Sequence, residues 1–129
     1  MNIKMTSILV DDPIKAFKFY TEILGFKKLI FSPESNLAVI SAPERINGTA
    51  ILLEPADKEE ELNYQRSLYV NIIPAIVFGS KNLESDYKKL KGLGVKFKNE
   101  PTETEWGYVT LFDDTCGNYI QIHQDLKKN

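Results

Sequence analysis

Residues 112–124, FDDTCGNYIQIHQ, decide how this chain is read. Asp113, Asp114, Gly117 and Asn118 are turn residues, and Gly117 can supply the left-handed backbone that a tight turn needs. Beyond the turn, Tyr119, Gln121 and His123 alternate with Ile120 and Ile122. Period two of this kind marks a strand with one polar and one apolar face. The isoleucines need a core to cover them. The other face carries an amide and the chain's single histidine, a composition suited to the wall of a pocket.

Working outward, residues 106–112 form the strand that enters this turn, and residues 95–98 a strand stopped by Pro101. Leu83, Tyr87, Leu90 and Leu93 recur at helical spacing up to Gly94, and residues 75–79 read as a strand before them. The first half has the same order. Residues 3–10 form a strand with Thr6, Ile8 and Val10 on one face and Met5, Ser7 and Leu9 on the other. Asp12 is a good N-cap and Pro13 suits a first helical turn. Ile14, Phe17, Tyr20, Ile23 and Leu24 then give an amphipathic helix over 13–24, ended by Gly25. Strands follow at 26–32, 36–42 and 49–54, the last entered through Asn47-Gly48.

Gly25 and Gly94 stand 69 residues apart, as do Gly48 and Gly117; Met5 and Ala75 stand 70 apart. A repeat with two copies is a duplicated supersecondary unit, not a solenoid. The sequence therefore predicts an α+β fold of two tandem βαβββ modules, unit 1 at about 3–54 and unit 2 at about 74–124. Residues 55–73, rich in Glu, Asp, Asn, Gln and Lys, read as a connecting segment with room for one short helix. Each sheet would cover one face with its helix and leave the other concave.

Size and composition set the outer limits. The 129 residues suit a single domain (1–129) with a real core, and 43% hydrophobic with 26% charged residues is ordinary for a globular protein. A net charge of −2 without a basic block argues against nucleic acid, and the charged run 57–61 and tail 127–128 read as solvated. The single cysteine, Cys116, excludes an intramolecular disulfide and a cysteine-based zinc site, and its place beside Gly117 suggests a spectator thiol. Nothing at the N-terminus looks like a signal peptide, and no apolar run reaches the roughly 20 residues of a membrane span. A cytoplasmic protein is expected.

Certain local patterns add to the duplicated order. They are Val10-Asp11-Asp12, Phe19-Tyr20 and Leu24-Gly25-Phe26 in the first half. In the second they are Leu90-Lys91-Gly92-Leu93-Gly94-Val95, Glu100-Pro101 and Phe112-Asp113-Asp114 with Gly117-Asn118. Together, from Ile3 to Gln124, these resemble the vicinal oxygen chelate superfamily, the glyoxalase/bleomycin-resistance/dioxygenase group. Thr115 and Cys116 depart from it, standing where such proteins usually carry Pro and Asp.

The resemblance implies a ligand pocket on the concave face. In the enzymes of the group it implies a divalent metal held by His, Glu or Gln from the first and last strands of each unit. Those four positions fall here on Met5, Leu52, Ala75 and Gln121. Met5, Leu52 and Ala75 offer a thioether, an isobutyl and a methyl group, and one amide oxygen on Gln121 is no site. Glu54 and His123 lie two residues further on the same faces, so Glu54, Gln121 and His123 form the one alternative donor set for a displaced divalent metal.

By strand parity the pocket face carries Met5, Ser7, Leu52, Glu54, Ala75, Tyr119, Gln121 and His123, with Trp106 and Tyr108 as candidate aromatic walls. Phe31 is a third such candidate; core packing is the alternative for all three aromatics. The lining is mostly apolar with a few polar groups, the usual composition of a small-molecule site. A general base would have to be Glu54 or His123; Ser7 has no base beside it in sequence and is not read as a nucleophile. The leading expectation is a small-molecule-binding protein without cofactor, and by resemblance a homodimer with two grooves at its interface. The alternatives are a lyase or dioxygenase of the glyoxalase type on displaced ligands, and a dimeric scaffold without ligand.

Overall fold

The computed structural model describes residues 1–44 and 48–126. Asn47 of the expected turn and the tail 127–128 lie outside the described residues. The first unit runs β1 (Met5–Val10), α1 (Pro13–Lys18), β2 (Lys27–Ser32), β3 (Leu37–Ser41) and β4 (Ala50–Pro55). A helix α2 (Glu59–Val70) connects the units. The second runs β5 (Ile76–Gly79), α3 (Leu83–Gly92), β6 (Lys96–Phe97), β7 (Thr102–Glu103), β8 (Gly107–Asp113) and β9 (Tyr119–Asp125).

The sheets have matching order, β1-β4-β3-β2 and β5-β9-β8-β6, with β7 also paired to β8. In each, the first strand pairs in parallel with the last. Ser7 lies opposite Leu52 in one sheet and Val77 opposite Gln121 in the other; Leu9 and Glu54 correspond to Gly79 and His123. The offsets read from the glycines are thus the offsets of the pairing.

Local chemistry sets the helix boundaries. The Asp12 Oδ1 accepts hydrogen bonds from the Ile14 and Lys15 N–H groups at 3.0 and 3.3 Å, and Pro13 opens α1. The expected single helix over 13–24 changes pitch instead: after Lys18 it widens into a π-helical turn over Phe19–Ile23. The Leu24 N–H reaches back to Phe19 O at 3.2 Å. Gly25 and Gly94 follow the helices with φ of +83° and +93°, the left-handed stop that glycine allows.

Ile8, Val10, Ala38, Ile40, Ile51 and Leu53 point from the first sheet onto α1 and are buried. Phe112, Ile120 and Ile122 do the same under α3 with Leu83 and Leu90. Phe19, Leu24, Ile76 and Phe78 pack against both clusters, so the modules share one aromatic seam. Phe31 stacks on Phe17 at 4.0 Å between ring centres and belongs to this core, not to a pocket.

The connecting segment holds far more order than its composition suggests. α2 has twelve residues, and the Glu61 carboxylate accepts from the Lys58 N–H at 3.1 Å. Only Gln65 is buried on it. Its amide nitrogen donates to the carbonyls of Leu9 (2.8 Å) and Cys116 (3.2 Å), joining α2 to both modules. Among the described residues no helix is long and apolar enough to cross a membrane.

Candidate functional site

The helix-free face of each sheet follows from the registers. In the first sheet one row is Lys27, Ser41, Ala50 and Met5; the next contains Val39, Leu52 and Ser7. In the second, Leu111, Gln121 and Val77 form one row and Val109, His123 and Gly79 the next. Exposure is uneven. Val39, Ser41 and Ala50 are buried, whereas Met5 is 46% and Val77 52% exposed. Open apolar residues of this face therefore lie on edge strands: Met5 on β1, Val77 on β5 and Ile30, 48% exposed, on β2.

Met5, Ser7, Leu52, Glu54, Gln121 and His123 stand on the helix-free face of their sheets, as strand parity predicts. Ala75 lies just before β5, its N–H bonded to Tyr119 O at 2.9 Å. Tyr119 is on the same face but covered: the Tyr69 ring of α2 stacks on it at 4.5 Å, and the Lys98 ammonium lies 5.6 Å from its centre. The Tyr69 hydroxyl donates to Asp113 Oδ2 at 2.6 Å, and that bond, chiefly, holds its pKa above the ordinary phenol range.

Two expected aromatic walls are corrected. Tyr108 pairs with Gln124 and shares the helix side with Thr110 and Phe112, packing against the second core cluster. Trp106 precedes β8 rather than opening it and is 81% exposed. Three members of the face were missed. Val109 and Leu111 follow from alternation with Phe112 and could have been found; Tyr69 stood in a segment read as a connector.

His123 is the best-defined polar group of the site. Its Nε2 lies 3.0 Å from Asp125 Oδ1, and its side chain is 25% exposed. Gly107 sits against the imidazole: a Cβ there would fall 2.7 Å from His123 Cε1 and 2.3 Å from the Gln124 carbonyl oxygen. Glu54, Gln121 and His123 are divided between the sheets, Glu54 on β4 and the others on β9. Among the described residues no group of three or more His, Cys, Asp or Glu side chains converges as a metal site would require.

The turn between β8 and β9 is a buried polar knot. The Asp114 Oδ1 accepts from the N–H groups of Cys116 (2.8 Å) and Asn118 (3.0 Å), and its Oδ2 from the Tyr20 hydroxyl (2.7 Å). Burial pushes the Asp114 carboxyl up, and these hydrogen bonds pull it part of the way back. Burial, and then the neighbouring Asp114 charge, push the Cys116 thiol up to about 12.

Paired βαβββ units with matched registers define a duplicated two-sheet α+β class of protein. Residues 2–122 match the family model of the Glyoxalase/Bleomycin resistance protein/Dioxygenase superfamily, and the chain belongs to that superfamily. It is 40% identical over 126 residues to the uncharacterized protein YurT of Bacillus subtilis (strain 168), covering 96% of this chain and 99% of that one. Among solved structures it is similar to UcmS2, with a TM-score of 0.79 and 23% identity, over 95% of this chain and 97% of that one. It is also similar to TnmS3, an antibiotic binding protein from Streptomyces sp. CB03234. There the TM-score is 0.75 and the identity 22%, over 98% of this chain and 97% of that one.

Proposed function

We propose that this protein binds a small, largely apolar molecule on the helix-free faces of its sheets without a metal, and that two copies of the chain pair to enclose it. The observation that carries this reading is the register. Met5, Leu52, Ala75 and Gln121 occupy equivalent places in the two sheets and include one oxygen donor among them. A hard cation needs several nitrogen or oxygen donors. An apolar ligand needs what these rows offer, aliphatic walls with the isolated polar groups of Gln121 and His123. TnmS3, named as an antibiotic binding protein, shares the fold and supports the same class of use.

The exposed edges support pairing. β1 and β5 each leave one side of the backbone without a neighbouring strand, and Ile3, Met5, Ile73 and Val77 are all more than 40% exposed there. Unprotected apolar edges of this kind are templates for pairing with another chain.

A thermal-shift screen of small molecules, run with and without EDTA, tests the reading. Ligands that stabilise the protein are expected to do so equally in both conditions, and to lose the effect on Leu52→Glu. Stabilisation abolished by EDTA would favour the metalloenzyme alternative.

A further inference from the structure

His123 has two unlike flanks. On one side stand Gly107 and Asp125, partners across β8 and β9. The Gly107 backbone closes against the imidazole, and Asp125 Oδ1 lies 3.0 Å from its Nε2. Asp125 follows His123 by two residues on the same strand, so both side chains stand on the same face. On the other side the partner of His123 across β5 is Gly79. A Cβ built at Gly79 would meet no atom of the described residues within 4 Å, and the residue is exposed. Val77, two residues earlier on the same face, bounds this space. The imidazole is thus clamped on one flank and opens on the other onto a slot floored by bare backbone.

The clamp also places the proton. A carboxylate only accepts, so the Nε2 that faces Asp125 carries the hydrogen. Nδ1 is then the bare nitrogen, an acceptor that cannot donate. Among the described residues the bond to Asp125 is the one hydrogen bond of the imidazole. The Asp125 side chain is 94% exposed, so the contact adds little to stability; its effect is on the orientation and tautomer of the ring.

The other polar groups of this face make no such demand. The Gln121 amide both donates and accepts, and the Lys98 ammonium, held over the Tyr119 ring, only donates. His123 is therefore the group that selects for a hydrogen-bond donor, and the slot beside it selects for a thin apolar body.

We infer that this slot binds a flat apolar molecule carrying a hydroxyl donor, of the phenol class. Its ring lies over Gly79 beside Val77, and its O–H is donated to His123 Nδ1. Asp125 is the positioning residue. This inference rests on the reading that the helix-free faces take a small molecule, and adds what that molecule must carry. One hydrogen bond of this kind corresponds to about three- to tenfold in affinity.

The test is an NMR titration of the full, tag-free chain at about pH 7.5, above the ordinary imidazole range. The probes are 4-methylphenol and its methyl ether, 4-methylanisole, which keeps the ring and lacks the hydrogen. The chain has a single histidine, so its ring nitrogens give one pair of 15N signals. Both probes are expected to shift the amides of residues 77–80 and 121–124, with dissociation constants of about 1 mM for the phenol and about three- to tenfold weaker for the ether. The phenol is expected to move the Nδ1 signal and the ether to leave it. His123→Phe should bring the two probes to equal affinity. Asp125→Ala should weaken the phenol and leave the ether unchanged. Gly79→Val, which meets no neighbour, should fill the slot and abolish binding of both. Equal affinities with Nδ1 unmoved, or binding undiminished in Gly79→Val, would overturn the inference and leave the reading of the faces standing. Shifts centred away from the helix-free faces, or no saturation by either probe at about 10 mM, would defeat both. The comparison of probes uses the unaltered protein, so it decides the matter even if a variant does not fold.

Discussion

At Gly107 the backbone presses on the imidazole of His123, and the residue has φ of +153°. A methyl group added there has no room, because one of its neighbours is the Gln124 carbonyl. Gly107→Ala is expected to lower stability by about 2 kcal/mol or more in chemical denaturation, and to move the His123 resonances. The Cys116 thiol is buried. With its pKa pushed up to about 12, it is expected to resist DTNB at pH 8 in the folded protein and to react fully once unfolded. Rapid native labelling would contradict this. The Asp114 carboxyl makes a prediction with a definite sign. Its folded pKa is raised, so its titration favours the fold below its unfolded value of about 4, and this is lost as pH rises through the folded value. The stability of the protein relative to Asp114→Asn should therefore fall with rising pH across that window and level off above it. Much of this scale was legible from alternation, which separated Ile120 and Ile122 from Gln121 and His123. Tyr108 was misjudged because its aromatic character was weighed above its parity with Phe112, and the close approach at Gly107 had no signal in sequence.

At the scale of elements, the strands other than the two-residue β7, and the starts and glycine stops of both module helices, follow from periodicity. α2 does not, and its energetics explain why. It buries almost no apolar surface, so it has no amphipathic stripe to read. It is anchored by polar and aromatic contacts whose partners are distant in sequence: Gln65 to Leu9 and Cys116, Tyr69 to Asp113 and Tyr119. Gln65→Ala should therefore cost about 1 kcal/mol, since it removes one of the two donors to each of the Leu9 and Cys116 carbonyls, which keep the Asn118 amide and the Asp11 N–H. A loss below a few tenths of a kcal/mol in denaturant titration would mean that α2 is not the tie between modules described here. The π-helical turn at Phe19–Ile23 was equally hidden, because apolar spacing alone does not distinguish a widened turn from a regular one.

At the scale of the whole molecule, duplication is the organising fact, and two glycine pairs in the sequence already carried it. The duplication also sets the argument about function, because it identifies equivalent positions in both sheets and shows which chemistry they hold. Two open edge strands with exposed apolar residues lead to the expectation of a dimer by sedimentation equilibrium, shifted toward monomer by Val77→Asp. The central claim, that the helix-free faces work without a metal, is met most directly by calorimetric titration of the purified, tag-free protein with Ni, Zn, Mn, Co and Fe(II). No stoichiometric binding is expected. One equivalent per chain at micromolar affinity or better, lost on Glu54→Ala or His123→Ala, would contradict it and make Glu54, Gln121 and His123 the ligands of a displaced metal centre.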